Sequence, residues 1–284
     1  MDRLTPAQIQ AFYSAKLKTL SSQTVRHFHT VLREALRHAV MWEMLRRNPA
    51  DRVSPPRIVR EKEAISLTGE QVSAFLDAAK GDRFYAAFVL AIYLGLRRGE
   101  LLGLQWDDLD FEAGTLKVRR QVAMVGGRVV VQEPKTPGSR RVLVLDAGLL
   151  KVLAQWKSDQ TEWARSLAAP GKPVPRVRWL FPALTGGPMS PQNFVRRHFL
   201  PLAAKAGLPE GIRLHDLRHT FATLAALGGV PMHVTARQLG HSTTRMTAEV
   251  YSHVLPEMQR EVVRRVRAVV ERNDTQKHNT QDHS

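Results

Sequence analysis

Between Arg213 and Tyr251 the chain carries His215-Asp216-Leu217-Arg218-His219, then Leu239-Gly240-His241-Ser242, then Tyr251-Ser252-His253. His215 and Arg218 are three residues apart, a spacing that puts both on one face of a helix. Such a face suits a phosphodiester under attack. An arginine offers paired donors to the non-bridging oxygens, and a histidine adds a hydrogen bond or handles a proton. Each residue also has an ordinary reading. Any one basic side chain in so basic a chain is commonly a solvated surface charge, and His215 can simply cap its helix. Leu239-Gly240-His241-Ser242 can be a helix-ending glycine turn, and Tyr251 a half-buried packing residue.

More of the pattern lies upstream. Leu94-Gly95-Leu96-Arg97-Arg98-Gly99-Glu100-Leu101 places an acidic residue three positions after an arginine, and Leu104-Gln105-Trp106-Asp107-Asp108 follows it. Pro134-Lys135-Thr136-Pro137-Gly138-Ser139-Arg140-Arg141 has the turn residues of a β-hairpin around one lysine. In order, spacing and chemistry these separated segments resemble the tyrosine recombinases, the phage integrase family. The resemblance runs from about Leu67 to Leu255.

The resemblance implies a mechanism residue by residue. Tyr251 is the nucleophile, leaving a 3′-phosphotyrosyl bond and a free 5′-hydroxyl. Arg97 and Arg218 clamp the non-bridging oxygens, Lys135 protonates the departing 5′-oxygen, His215 accepts the tyrosine proton, and His241 holds the phosphate or orients the site. Glu100 and His219 support from behind. No metal, ATP or other cofactor is implied. The implied partner is double-stranded DNA, bound by a protein that is monomeric in solution and a cyclic homotetramer on paired sites, with accessory DNA-bending proteins as further partners. Two alternatives stay open at this stage: a type IB topoisomerase, and a catalytically inactive or truncated integrase acting as a DNA-binding regulator.

Composition agrees with a nucleic-acid partner. Lys plus Arg number 42 against 26 for Asp plus Glu, a formal net charge of +16 spread along 284 residues. Each phosphate neutralised by such charge releases condensed counterions. A structural basic protein, such as a ribosomal component, explains the charge but not the separated motifs. Cysteine is absent, which excludes disulfides and cysteine-based zinc sites. No apolar run approaches the roughly 18 residues of a membrane span, no signal peptide is recognisable, and a cytoplasmic location is expected.

The elements that must position these residues read as mainly α with a small three-stranded antiparallel β-sheet, the tyrosine recombinase catalytic fold preceded by a partial helical core-binding domain. Thr5, Pro6 and Gln8 open a first helix with a capping box. Apolar residues at helical spacing predict a second over 22–47, ended by Asn48-Pro49. Residues 58–66 are expected to be a linker, 67–272 the catalytic domain and 273–284 a disordered tail. Residues 1–57 resemble the second half of the family's core-binding domain; if the chain begins at Met1, weakened DNA affinity is expected. Thr68 repeats the capping device. Helices are expected from Arg83 to a stop at Gly95, over 99–104, 147–167, 191–206, 215–227, 231–238 and 255–271. Strands are expected at 115–118, 128–132 and 140–145, forming one sheet. Arg33, Arg37, Arg46, Arg47, Arg196, Arg197 and Arg213 are read as DNA-backbone contacts, which set register and not sequence choice.

Overall fold

The computed structural model describes residues 4–57, 64–133, 140–166 and 177–241, together with Ala248. The chain divides into two compact units, Met1–Glu63 and Ala64–Ser284.

In the first unit, α1 (Pro6–Leu17) begins at the expected capping box: the Thr5 side chain accepts from the Gln8 backbone, and Gln8 reaches back to the Thr5 N–H. The second helix, α2, spans Ser22–Met41 and stops short of the expected Arg47. Glu43 turns into the left-handed region at φ 57°, and the Met44 N–H closes the helix end on the Ala39 carbonyl at 2.9 Å. That turn delivers Leu45 into a small core with Ile9, Tyr13, Val25, Leu36, Ala39, Ala50 and Val53.

The second unit is built around α4 (Tyr85–Leu94), whose residues are apolar on nearly every side and almost all buried. A helix with no polar face belongs at the centre of a domain. Against it pack α3 (Gly69–Ala79, opened by the expected Thr68 capping box), the long α6 (Ala147–Ser166) and α9 (Asp216–Leu227). Phe75, Phe84, Phe88, Phe194 and Phe199 form a connected aromatic cluster, with the Phe84–Phe194 and Phe75–Phe88 centroids both 5.2 Å apart and edge-on. Each is fully buried, a contribution of roughly 2–3 kcal/mol apiece from area alone. The short α5 (Arg98–Leu102) follows α4, and α10 (Met232–Leu239) follows α9.

The antiparallel strands are arranged differently from the single sheet expected. Strand β2 (Thr115–Val118) pairs directly with β5 (Arg141–Val144), Leu116 opposite Leu143, and the two-residue β1 (Leu109–Asp110) lies on β2's other edge. Residues 128–132 do not join that sheet. They form β4 of a separate hairpin with a strand not anticipated, β3 (Gln121–Val125), folded over Gly126-Gly127. Both glycines have positive φ, 54° and 76°, as a two-residue hairpin turn requires. The break between β2 and β3 falls at Arg119-Arg120, where Arg120 is held by buried Asp108 and by the Gly103 carbonyl.

Residues 191–206, expected as one helix, contain α7 (Pro191–Phe194), a π-helical turn at Val195–Phe199 and α8 (Leu200–Lys205). Pro201 lacks the N–H that would continue a regular ladder. The turn directs His198 onto Asp82 at 2.9 Å. The expected helix 255–271 and the tail lie outside the described residues. Among the described residues no helix is long and apolar enough to cross a membrane.

Candidate active site

Helix α4 ends at Gly95, left-handed at φ 60°. A Cβ there would stand 2.5 Å from Leu239 Cδ2 and 2.7 Å from Phe221 Cδ1, so any other residue would be strained in backbone and would have to displace both side chains. Two residues on, Arg97 caps α5. Its backbone N–H donates to Glu100 Oε2 at 3.0 Å while its Nη1 donates to Glu100 Oε1 at 2.8 Å. The acidic residue three positions after the arginine is therefore both helix cap and ion-pair partner.

Arg218, on α9 and only 4% exposed, donates Nη1 to the Gly95 carbonyl and Nη2 to the Leu239 carbonyl, each at 2.7 Å. Arg97 reaches the same Leu239 oxygen at 3.5 Å and the Gly240 oxygen at 3.3 Å. Gly240 is left-handed at φ 65°, and the following His241 N–H closes back on Ala236 at 3.0 Å. The ordinary glycine turn and the functional motif are thus one object: the turn ends α10, offers its last carbonyls to two arginines, and sets His241 beside them. Burial, then the charges of Arg97 and Arg141, push the Arg218 pKa down to about 9, against the pull of Glu100.

His215 occupies the N-cap position of α9, with its ring edge-on to His219 at 5.1 Å between centroids. It keeps access to solvent, yet the protein packed around the ring strips hydration. That desolvation, with His219 and Arg218, lowers its pKa to about 4. Burial followed by Arg218, Arg97 and Arg141 does the same to His241, also to about 4. His219 shifts downward as well, chiefly by burial. Both His215 and His241 are therefore neutral near pH 7, available to accept a proton or to hydrogen-bond an anion.

A residue that ends the hairpin motif, and to which no role was assigned, stands at the centre of this cluster. Arg141 donates Nη1 and Nη2 to the two Glu100 oxygens at 3.2 and 2.9 Å, and Nε to the Gln238 carbonyl at 2.7 Å. The signal was strand parity: Arg141 points the same way as buried Leu143 and Leu145, whereas Val142 and Val144 are exposed. An arginine on the inward face of a strand needs a buried anion, and Glu100 is 2% exposed. Burial raises the Glu100 pKa, but the hydrogen bonds and charges of Arg141 and Arg97 outweigh it and hold the carboxyl below its usual range. Beside Arg141 opens a groove of about 650 Å³ whose lining includes Lys117, Arg119, Arg120 and Arg140, basic residues to which the motifs assigned no role.

Arg97, Glu100, Arg218 and His241, grouped by the resemblance, are brought together, with His215 and His219 within electrostatic reach. Arg213 forks onto buried Asp216, at 2.7 and 3.1 Å. Arg33 pairs with Asp51 and Arg37 with Glu34 on the surface of the first unit, where Arg46 and Arg47 are also exposed. Arg196 and Arg197 project from the π turn into solvent. Lys135 and Tyr251 lie outside the described residues.

The family model of the phage integrase family matches residues 66–258. A XerC-like tyrosine recombinase of Caldanaerobacter subterraneus subsp. tengcongensis is 30% identical over 271 residues, covering 90% of this chain and 69% of that protein. The ICEBs1 integrase of Bacillus subtilis is 30% identical over 265 residues, covering 92% and 70%. Among solved structures, the Tn1549 transposon integrase in complex with a circular intermediate DNA superposes with a TM-score of 0.73 at 26% identity, covering 92% of this chain and 86% of that one. The chain belongs to the phage integrase family. It is a tyrosine-type site-specific recombinase.

Proposed function

We propose that this recombinase cuts and rejoins double-stranded DNA through a covalent bond between Tyr251 and the 3′ side of the scissile phosphate. The observation that carries the reading is the convergence of Arg97 and Arg218, from separate helices, on the Leu239 carbonyl beside His241. Two guanidiniums held this way by backbone oxygens are poised for the non-bridging oxygens of a phosphodiester, whose negative charge grows as it is attacked. The Tyr251 oxygen attacks phosphorus and the bond to the 5′-oxygen breaks. The tyrosine proton passes to His215, which is neutral at pH 7 with its pKa near 4, and Lys135 supplies a proton to the departing 5′-oxygen. His241 hydrogen-bonds the phosphate. Glu100 and His219 brace the arginines and His215.

A phosphotyrosyl ester retains the energy of the original diester, so a 5′-hydroxyl from another strand reverses the step without ATP. The arginines supply the positive charge, and the reading calls for no metal or cofactor. Duplex DNA as substrate is supported by the net charge of +16 and by the DNA-bound Tn1549 relative. Arg33, Arg37, Arg46, Arg47, Arg196, Arg197, Arg213 and the groove beside Arg141 are assigned to the phosphate backbone. Residues 1–57 are assigned to core binding and 67–272 to catalysis. The working assembly is a homotetramer on paired sites, formed from monomers and assisted by DNA-bending proteins. A duplex-DNA substrate makes the cytoplasm the expected compartment.

The test is a set of nicked suicide duplexes drawn from DNA flanking the protein's own gene, from which the cleaved 5′ fragment diffuses away and traps the intermediate. A covalent adduct on a denaturing gel, mapped by mass spectrometry to Tyr251 and abolished by Tyr251→Phe, is the expected result. Duplex binding without any adduct would sink the reading in favour of a non-catalytic DNA binder.

A further inference from the structure

We propose that Arg141 is a positioning residue for strand cleavage: by neutralising Glu100 it leaves Arg97 available to the phosphate. The inference rests on the proposed function, in which Arg97 and Arg218 clamp the scissile group.

Two attachments of Arg141 among the described residues bear on the site. Its fork covers both Glu100 oxygens, and its Nε reaches the Gln238 carbonyl in the last turn of α10. The side chain is 7% exposed and Glu100 is 2% exposed, so the pair is sheltered from solvent screening. One arginine therefore joins the start of β5, the cap of α5 and the turn that bears His241.

Charge makes the consequence specific. Among the described residues, Arg97, Arg141 and Arg218 set against Glu100 leave two net positive charges around the Leu239 carbonyl. A phosphodiester begins with one negative charge and gathers more on its non-bridging oxygens as it is attacked. Without Arg141, Glu100 remains buried with Arg97 as its main cation. A buried carboxylate left short of partners is costly, and it recovers them by drawing the Arg97 fork toward itself. Arg97 already spans both functions, with Nη1 on Glu100 at 2.8 Å and Nη2 on the Gly240 carbonyl at 3.3 Å. Losing Arg141 thus shifts Arg97 from the phosphate to the carboxylate. A residue that only stiffened the fold would have no such dependence on the charge of Glu100.

The experiment is a charge cycle on the full chain, with single-turnover cleavage of the nicked duplexes at saturating protein and duplex binding measured separately. Arg141→Gln should slow cleavage by about a hundredfold while duplex binding changes less than about threefold, the size of effect expected from removing one transition-state charge interaction. Adding Glu100→Gln should restore at least about tenfold of that loss, because no buried carboxylate then competes for Arg97. Cleavage by Arg141→Gln within about threefold of the parent, or a double variant no faster than Arg141→Gln, would overturn the inference. If Arg141→Gln fails to fold by thermal melting, the double variant becomes the readout, since it no longer buries the Glu100 carboxylate without Arg141. A folded double variant that binds duplex must then cleave within about tenfold of the parent, and one that binds without cleaving overturns the inference. The parent protein separates the two levels: absence of a Tyr251 adduct there removes the phosphotyrosyl mechanism itself, whereas a parental adduct with an indifferent Arg141 removes only the positioning role.

Discussion

Arg218 and Gly95 are joined by one hydrogen bond, in which a guanidinium from α9 seals the left-handed end of α4 at 2.7 Å. The same glycine packs against Phe221 and Leu239, which flank the site on α9 and α10. Gly95→Ala must therefore both enter a strained backbone region and displace two apolar side chains. A destabilisation of roughly 2–4 kcal/mol is expected, read as a lower urea midpoint at unchanged slope. A stability within about 0.5 kcal/mol of the parent would show that Phe221 and Leu239 yield easily to a methyl group.

Arg218→Lys keeps a charge but gives up the fork that spans the Gly95 and Leu239 carbonyls. Cleavage of the nicked duplexes should fall on the order of a hundredfold, with binding nearly unchanged, because in the proposed mechanism the Arg218 fork acts on the transition state. Equal losses in binding and cleavage would instead make Arg218 a residue of ground-state affinity.

The histidines set a pH dependence. His215 and His241 are lowered from 6.5 to about 4 in the fold. A group with a depressed folded-state pKa binds its proton more readily when unfolded. Stability is therefore fully present above about 6.5 and declines as pH falls toward 4. Glu100, a carboxyl held below its usual range, adds to the loss at the acid end. Urea unfolding across pH 4 to 8 should show this fall, and His241→Asn should flatten part of it. A DNA phosphate at His241, where the proposed function puts it, favours the charged imidazole, so binding should also take up protons, visible by calorimetry in buffers of different ionisation enthalpy.

Asp108 is 1% exposed and receives Arg120, with Nη2 at 3.2 Å from Oδ1, and the Gln105 backbone N–H at 2.9 Å. Asp108→Asn removes the charge and leaves Arg120, itself largely covered, without its counter-ion. Breaking one side of such a pair costs about 3 kcal/mol or more. The β2–β3 break depends on it, so hydrogen exchange should accelerate in residues 115–132 before it does in α4. Uniform exchange across the second unit would argue against a local role.

Neutralising Arg196, Arg197 or Arg119 singly should lower the slope of log affinity against log salt by about 1 for each phosphate no longer neutralised, with no change in site preference. A variant whose slope equals the parent's does not touch backbone.

Much of this architecture is written locally. The capping boxes at Thr5 and Thr68, the stop at Gly95 and the apolar α4 depend on neighbours within a helical turn, and the chain folds there as its residues suggest. The family, too, was legible in motif order alone. Strand pairing was not, because the antiparallel partner of β2 is β5, and nothing in Thr115–Val118 says whether its neighbour comes from 128–132 or from 141–144. Arg141 escaped for the same reason. Parity marks it as inward-facing, but its meaning depends on Glu100 and Gln238, far away in sequence, and only folding brings them to one carboxylate and one carbonyl. The depressed pKa values of His215, His241 and Arg218 likewise arise from burial and from charges on other elements. The residue types and their local spacing determined which chemistry is possible. Tertiary structure decided which charges share that chemistry, because desolvation and ion pairing are set by distances in space, which spacing along the chain does not encode.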